Sequence, residues 1–215
     1  MFEGPAAQGP VALDERSAVI AILDYGAGNL RSVENTLGAI GAAYEVVRDA
    51  ASLSRASKII LPGVGHFGQM MRALDSLGVR DVLLERIRAG VPFLGICLGL
   101  QALFERSEEA PECAGFALFP GTIRRFAAGV RCPHMGWDDL DIKPGSRLFA
   151  GVAAAPWFYF AHSYYAPVID VTAATCTYTV SYTAVLESGN VFGVQFHPEK
   201  SGPLGQAVVN NFVKL

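Results

Sequence analysis

Apolar residues along the chain gather in short unbroken runs in the first half and give way to alternating segments in the second. Ser17-Ala-Val-Ile-Ala-Ile-Leu23 is rich in β-branched residues and predicts a buried strand, followed by turn material at Asp24-Tyr-Gly-Ala-Gly-Asn29. A helical period then runs from about Leu30 to Ile40 and stops at Gly41. Tyr44-Glu-Val-Val47 and Lys58-Ile-Ile-Leu61 predict two more strands, the second leading through Pro62-Gly-Val-Gly65 into a helical region reaching about Ala89. Val91 to Ile96 predicts a further buried strand and Leu98 to Glu105 a helix. Strands alternating with helices argue for a parallel sheet covered on both faces.

From Phe116 onward the pattern becomes strand after strand: Ala117–Phe119, Thr122–Phe126, Trp157–Tyr165, Thr172–Tyr178, Thr183–Glu187 and Val191–Phe196. Ser188-Gly-Asn190 lies between the last two and predicts a hairpin turn. A final helix, about Leu204 to Lys214, carries apolar Val208, Val209, Phe212 and Val213. The expected whole is one α/β domain, residues 17–215, with a central mixed sheet.

Composition narrows the classes. The chain is 51% hydrophobic and 17% charged, a globular balance. Its net charge is −3 and its nearest approach to a basic run is the pair Arg124-Arg125, which argues against nucleic acid as a partner. No stretch approaches the roughly 18 to 20 apolar residues of a spanning helix, since the richest one, Gly151 to Ala166, is broken by Pro156, His162 and Ser163. Cys97, Cys113, Cys132 and Cys176 are scattered without C-x-x-C spacing, so neither zinc nor a disulfide framework is expected and a reducing cytosol is the default compartment. Met1 to Arg16 has neither an apolar core nor an Arg-rich face and reads as a flexible tail, not a targeting peptide.

The chemistry centres on Gly95-Ile-Cys97-Leu-Gly99, the G-x-nucleophile-x-G pattern of a strand-to-helix elbow. Such a turn strains the backbone at its middle residue, and the flanking glycines allow neighbouring backbone to pack where a Cβ would clash. A thiol projected at the start of a helix has its thiolate favoured by the dipole, and the Leu98 N–H is aimed where an oxyanion would form. A structural role, the usual one for a buried cysteine, is the alternative, and it is the reading for Cys113, Cys132 and Cys176.

Val194-Gln-Phe-His197-Pro-Glu199 ends a predicted strand, and Pro198 keeps His197 extended. In extended chain His197 and Glu199 would point to one side, the carboxylate holding one imidazole nitrogen and leaving the other for Cys97. Gly63, Gly65 and Gly68 also satisfy G-x-G-x-x-G. The pattern follows a later strand, and the acidic residues after it (Asp75, Asp81, Glu85) fall in helix, which argues against dinucleotide binding. The alternative is a flexible loop in which Val64 or Gly65 offers an N–H to an oxyanion, able to switch that donor on and off.

Pro62-Gly-Val-Gly65, Gly95-Ile-Cys-Leu-Gly-Leu-Gln101 and Gly193-Val-Gln-Phe-His-Pro-Glu-Lys-Ser201 together resemble the class I, triad-type glutamine amidotransferases, over nearly the whole chain from about Val19. Within that class, Asp24-Tyr-Gly-Ala-Gly-Asn-Leu-Arg-Ser32, Pro133-His-Met-Gly-Trp137 and Tyr159-Phe-Ala-His-Ser-Tyr164 look like the glutaminase-subunit family of imidazole glycerol phosphate synthase. The resemblance implies a flavodoxin-like α/β fold, with Cys97 as nucleophile, His197 as base and acid, and Glu199 as orienter. It implies that Gln101 and Gly65 hold glutamine, and that a (β/α)8 cyclase subunit receives the ammonia in histidine biosynthesis. Asn29, Trp137, Tyr164 and Lys200 fall at positions matching the family's subunit interface. No cofactor is implied, and no metal spacing links His66, His134 and His162, which take structural or interface readings. Asp138 departs from the Asn common in the family after Gly-Trp, and the tail before Ser17 has no counterpart. Competing readings are a sister amidotransferase, a stand-alone cysteine hydrolase on the same fold, and a catalytically dead interaction subunit.

Overall fold

The computed structural model describes residues 19–152 and 156–215, so the tail and the first two residues of the first predicted strand lie outside it. Five parallel strands form the heart of the main sheet: β1 (Ile20–Leu23), β2 (Tyr44–Val47), β3 (Lys58–Gly63), β4 (Phe93–Cys97) and β13 (Val191–Val194). Three antiparallel strands, β8 (Asp141–Ile142), β11 (Thr172–Tyr178) and β12 (Val180–Ser188), extend it in the order β2-β1-β3-β4-β13-β12-β11-β8.

The apolar runs are unbroken because both faces of these strands are covered. Ile20, Ile22, Ile60, Leu94 and Ile96 pack with Val33 and Leu37 of α1 (Leu30–Ala39) and Val208, Val209 and Phe212 of α6 (Gly202–Val213). The alternate residues Ala21, Leu23, Ile59, Leu61 and Phe93 pack with Leu53 of α2 (Ala50–Ser54), Phe67, Met70 and Leu74 of α3 (Phe67–Ser76), and Leu83 and Ile87 of α4 (Arg80–Arg88). The mixed sheet with helices on both faces therefore stands as expected.

Several element boundaries differ. The single helical region before Ala89 is α3 and α4, separated where Gly78 takes φ +64° and donates to the Asp75 carbonyl. The helix expected over Leu98–Glu105 is only the one-turn α5 (Leu98–Gln101), followed by β5 (Phe104–Ser107). The carbonyls that would continue it are taken by the return chain: Phe116 N–H donates to Ala102, Ala117 to Phe104, and Gly115 to Glu105. The two predicted strands near Phe119 and Thr122 are one, β6 (Phe119–Arg125), which pairs with β5 and β10 (Tyr164–Tyr165). The strand expected over Trp157–Tyr165 is broken at Ser163 into β9 (Trp157–His162) and β10, the Ser163 carbonyl accepting from Phe126 N–H. β9 pairs with β7 (His134–Asp139), whose glycine and two aspartates gave no strand signal.

Candidate active site

The C-terminal ends of β3 and β4 and the chain leaving β13 converge on one pocket of about 180 Å³. Cys97, Leu98, Val64, Gly65, Gln101, Tyr164 and His197 all line it. Cys97 sits at φ +54°, a conformation that costs an L-residue energy and is held here by the packing on both sides. A Cβ on Gly95 would overlap the Gly99 carbonyl, and one on Gly99 would overlap the Leu61 carbonyl of β3. Both glycines are thus required by backbone approaching backbone.

His197 lies beyond the end of β13, not within it, and is 3% exposed. Its N–H donates to the Tyr159 carbonyl at 2.8 Å, which holds it extended at φ −101°. Glu199 meets it by a different route from the strand alternation expected. Pro198–Lys200 form a 3₁₀ turn that folds the carboxylate back, placing Glu199 Oε1 2.8 Å from His197 Nδ1. Asn29 Nδ2 donates to the same oxygen at 3.2 Å.

Burial alone would lower the His197 pKa. The charge of Cys97 and a hydrogen bond to it, then the hydrogen bond and charge of Glu199, outweigh burial and push it up to about 10. The imidazole therefore keeps its proton at neutral pH. Since α5 is a single turn with little macrodipole, the cation beside Cys97 is this imidazolium and not the helix end.

The loop after β3 has a definite hydrogen-bonding state. Val64 N–H donates to the Tyr25 hydroxyl at 3.1 Å, and that hydroxyl donates to the Val64 carbonyl at 3.2 Å. Burial pushes the Tyr25 pKa up to about 12, so the hydroxyl keeps the proton it donates. The turn bearing Tyr25 is anchored by buried Asp24, which accepts from Gly26 N–H at 2.8 Å and from Arg48 Nε at 2.7 Å.

A family model described as "Glutamine amidotransferase class-I" matches residues 21–215. The chain belongs to that family. Among curated relatives, the amidotransferase is 49% identical over 198 residues to the imidazole glycerol phosphate synthase subunit HisH of Methanothermobacter thermautotrophicus, covering 92% of this chain and 98% of that one. It is 45% identical over 195 residues to the subunit of the same name from Bacillus cereus, covering 90% and 93%. A crystal structure of a glutamine amidotransferase shares the fold at 18% identity and TM-score 0.72, covering 91% of this chain and 97% of that chain. PurLQS from Thermotoga maritima does so at 21% and 0.72, covering 92% and 98%.

Of the four residues matched to the family's interface region, Tyr164 lines the pocket of the amidotransferase, and Asn29, Trp137 and Lys200 are not part of its lining. Trp137 is 51% exposed on β7, edge-to-face with Tyr159 at 6.2 Å, and Lys200 Nζ lies 5.7 Å from the centre of the Tyr159 ring. Asn29 is tied to Glu199, and the Tyr164 carbonyl accepts from Gln101 Nε2 at 2.8 Å. Asp138 turns its carboxylate toward buried His134, with 3.3 Å between Oδ2 and Nε2. His66 caps α3 by accepting from Gly68 N–H, and burial holds the His162 pKa down at about 3. Among the described residues no group of His, Cys, Asp and Glu is arranged to hold a metal ion.

Glu109, which no sequence motif singles out, also lines the pocket; its Oε2 accepts from Phe67 N–H at 2.7 Å. Nothing in its local sequence, Glu108-Glu109-Ala110, distinguishes it from a solvated acidic surface. Tyr25 lies within the Asp24–Ser32 segment but carries no signal of its own.

Proposed function

We propose that the chain is the glutaminase subunit of imidazole glycerol phosphate synthase, working in histidine biosynthesis as a heterodimer with a (β/α)8 cyclase. The observation that carries the chemistry is Cys97 at a strained elbow facing a His197 imidazolium, itself held by Glu199. The near full-length likeness to the HisH subunits directs that chemistry to this synthase.

In this reading the Cys97 thiolate attacks the side-chain carbonyl of glutamine. The oxyanion is held by Leu98 N–H and an N–H of the Val64–Gly65 loop. Collapse expels ammonia, His197 supplying its proton, and leaves a glutamyl thioester that water hydrolyses. A pocket of about 180 Å³ lies below the ~300 Å³ of drug-sized sites and suits one amino acid, with the Glu109 carboxylate placed for an ammonium group. Gln101 spends its amide N–H groups on Tyr164 and Gln195, so Oε1 is the atom it has left for glutamine.

Ammonia is protonated in open water, so it needs a sheltered route to its acceptor. Met135, Trp137 and Trp157, each more than half exposed, share one face of the β7–β9 sheet with Tyr159 and Ala161. Ala161 also lines the pocket, so a cyclase seated on this apolar face would cover the pocket mouth. The cyclase would use the ammonia to form imidazole glycerol phosphate and the aminoimidazole carboxamide ribotide. No described helix is long and apolar enough to cross a membrane, and the four free cysteines fit the reducing cytoplasm proposed for the complex.

Glutamate release measured with and without the cyclase and its nucleotide tests the proposal. Because the Tyr25 hydroxyl occupies Val64 N–H, the isolated chain is expected to turn over at least ~100-fold more slowly than the complex, the usual cost of one missing oxyanion donor. Equal rates with and without partner would overturn the switched loop. Tyr25→Phe frees the Val64 peptide and should raise the partner-free rate by roughly tenfold, about one hydrogen bond's worth.

The His197 proton sets the alkaline limit. Its raised pKa means the proton needed by departing ammonia is lost only as pH climbs through about 10. Glu199→Gln removes a charge that favours the imidazolium, so the alkaline limb of kcat/KM should move to lower pH. A limb that stays in place would show that Glu199 does not act through His197.

A further inference from the structure

Two amide side chains stand in series behind the Cys97 sulfur. Gln101 and Gln195 are 4% and 0% exposed, and they are joined by a hydrogen bond: Gln101 spends its Nε2 on two acceptors, while Gln195 uses both its oxygen and its nitrogen. The series begins at the Tyr164 carbonyl, a group that can only accept. Gln101 Nε2 donates to it at 2.8 Å, and the Nδ1 of His162 stands 2.9 Å from it. Burial keeps His162 neutral, so its single ring proton belongs on Nδ1, where that carbonyl needs it. This orientation of Gln101 also sends Nε2 to Gln195 Oε1 at 3.1 Å. Gln195 is thereby left with its own Nε2 facing the other way, 3.5 Å from Cys97 Sγ.

The direction of Gln195 has no low-energy alternative. Turned over, it would set its amide nitrogen against that of Gln101 and its oxygen against the Cys97 sulfur. The first contact is repulsive in any state and the second once the sulfur is a thiolate, and both groups are buried. One fixed backbone carbonyl, read through two amides, therefore ends in an N–H aimed at the nucleophile.

We infer that Gln195 is a catalytic residue, a preset hydrogen-bond donor that holds negative charge on the Cys97 sulfur alongside the His197 imidazolium. Resting on the reading of Cys97 as nucleophile, it assigns Gln195 a duty toward the sulfur and not toward glutamine. A hydrogen bond to a charged acceptor is roughly twice as strong as a neutral one, and His197 alone satisfies only one direction around the sulfur.

Alkylation of Cys97 by iodoacetamide in the full-length chain, followed across pH by peptide mass spectrometry, tests this without glutamine or cyclase. Gln195→Met removes the donor at similar volume. It should move the alkylation profile to higher pH by about one unit, a roughly tenfold loss of rate at neutral pH, while the alkaline plateau is kept. Gln101→Met leaves Gln195 in place but frees its direction, and should give a smaller shift of the same sign; it stands as the test if Gln195→Met does not fold. A profile that keeps its position, whatever happens to the plateau, would make Gln195 a structural amide and overturn the assignment. Glutamate release by the wild-type complex, assayed in parallel, reports on the glutaminase reading separately.

Discussion

Cys97→Ala is expected to lower glutamine-dependent synthesis in the complex by about 10⁴-fold or more, while added ammonium still supports synthesis. The magnitude follows from covalent catalysis. Without the sulfur, water would have to attack an unactivated amide, and His197 and the oxyanion donors would have no intermediate to act on. The ammonium arm separates lost chemistry from lost structure. Cys97 is small and 6% exposed, and alanine keeps the same Cβ at φ +54° while adding no bulk, so the fold and the face proposed for the cyclase should survive. Glutaminase activity retained by the variant would sink the assignment of the nucleophile. Failure of ammonium to rescue it would mean instead that the variant no longer seats the cyclase.

Gly99→Ala should be among the most damaging single-methyl changes among the described residues, costing about 4 kcal/mol or more. The added Cβ would land on the Leu61 carbonyl, a backbone atom of β3 that cannot rotate away. β3 is itself paired residue for residue with β4, Leu61 opposite Gly95, so relief at one point displaces the two strands that carry the Val64–Gly65 loop and the elbow. Gly38 provides the control: it lies in α1, a Cβ there would meet nothing within 4 Å, and Gly38→Ala should be neutral or stabilising by up to about 1 kcal/mol. Urea midpoints of the two variants decide the matter. A Gly99→Ala midpoint equal to that of the wild type would refute the close approach.

The pattern of runs and glycines carried the elbow's geometry, where the constraint is local. Gly95 and Gly99 flank Cys97 because of a turn only five residues long, and that turn is present. His197 and Glu199 meet, but through the 3₁₀ turn that Pro198 opens and not through strand alternation. A proline signals that a helix cannot include the preceding residue; it does not distinguish an extended continuation from a tight turn beyond it. Asn29 matched an interface position, yet its amide reaches Glu199 across 170 residues of sequence. Glu109 and Tyr25 were silent because an acidic residue beside another, or a tyrosine after an aspartate, has many ordinary uses.

By itself the sequence determined the covered parallel sheet, the elbow with its thiol, the histidine and its acid, and the family. Each of these rests on period, turn sterics or residue order, which act over a few positions at a time. Only the tertiary structure decided how short α5 is, that β7 is a strand, that Val64 N–H is held by Tyr25, and that Gln195 turns its amide toward Cys97. These depend on hydrogen-bond partners brought from 39 and 98 residues away in the last two cases. A backbone N–H or a side-chain amide accepts whichever partner the packed fold presents, and local sequence does not specify that partner.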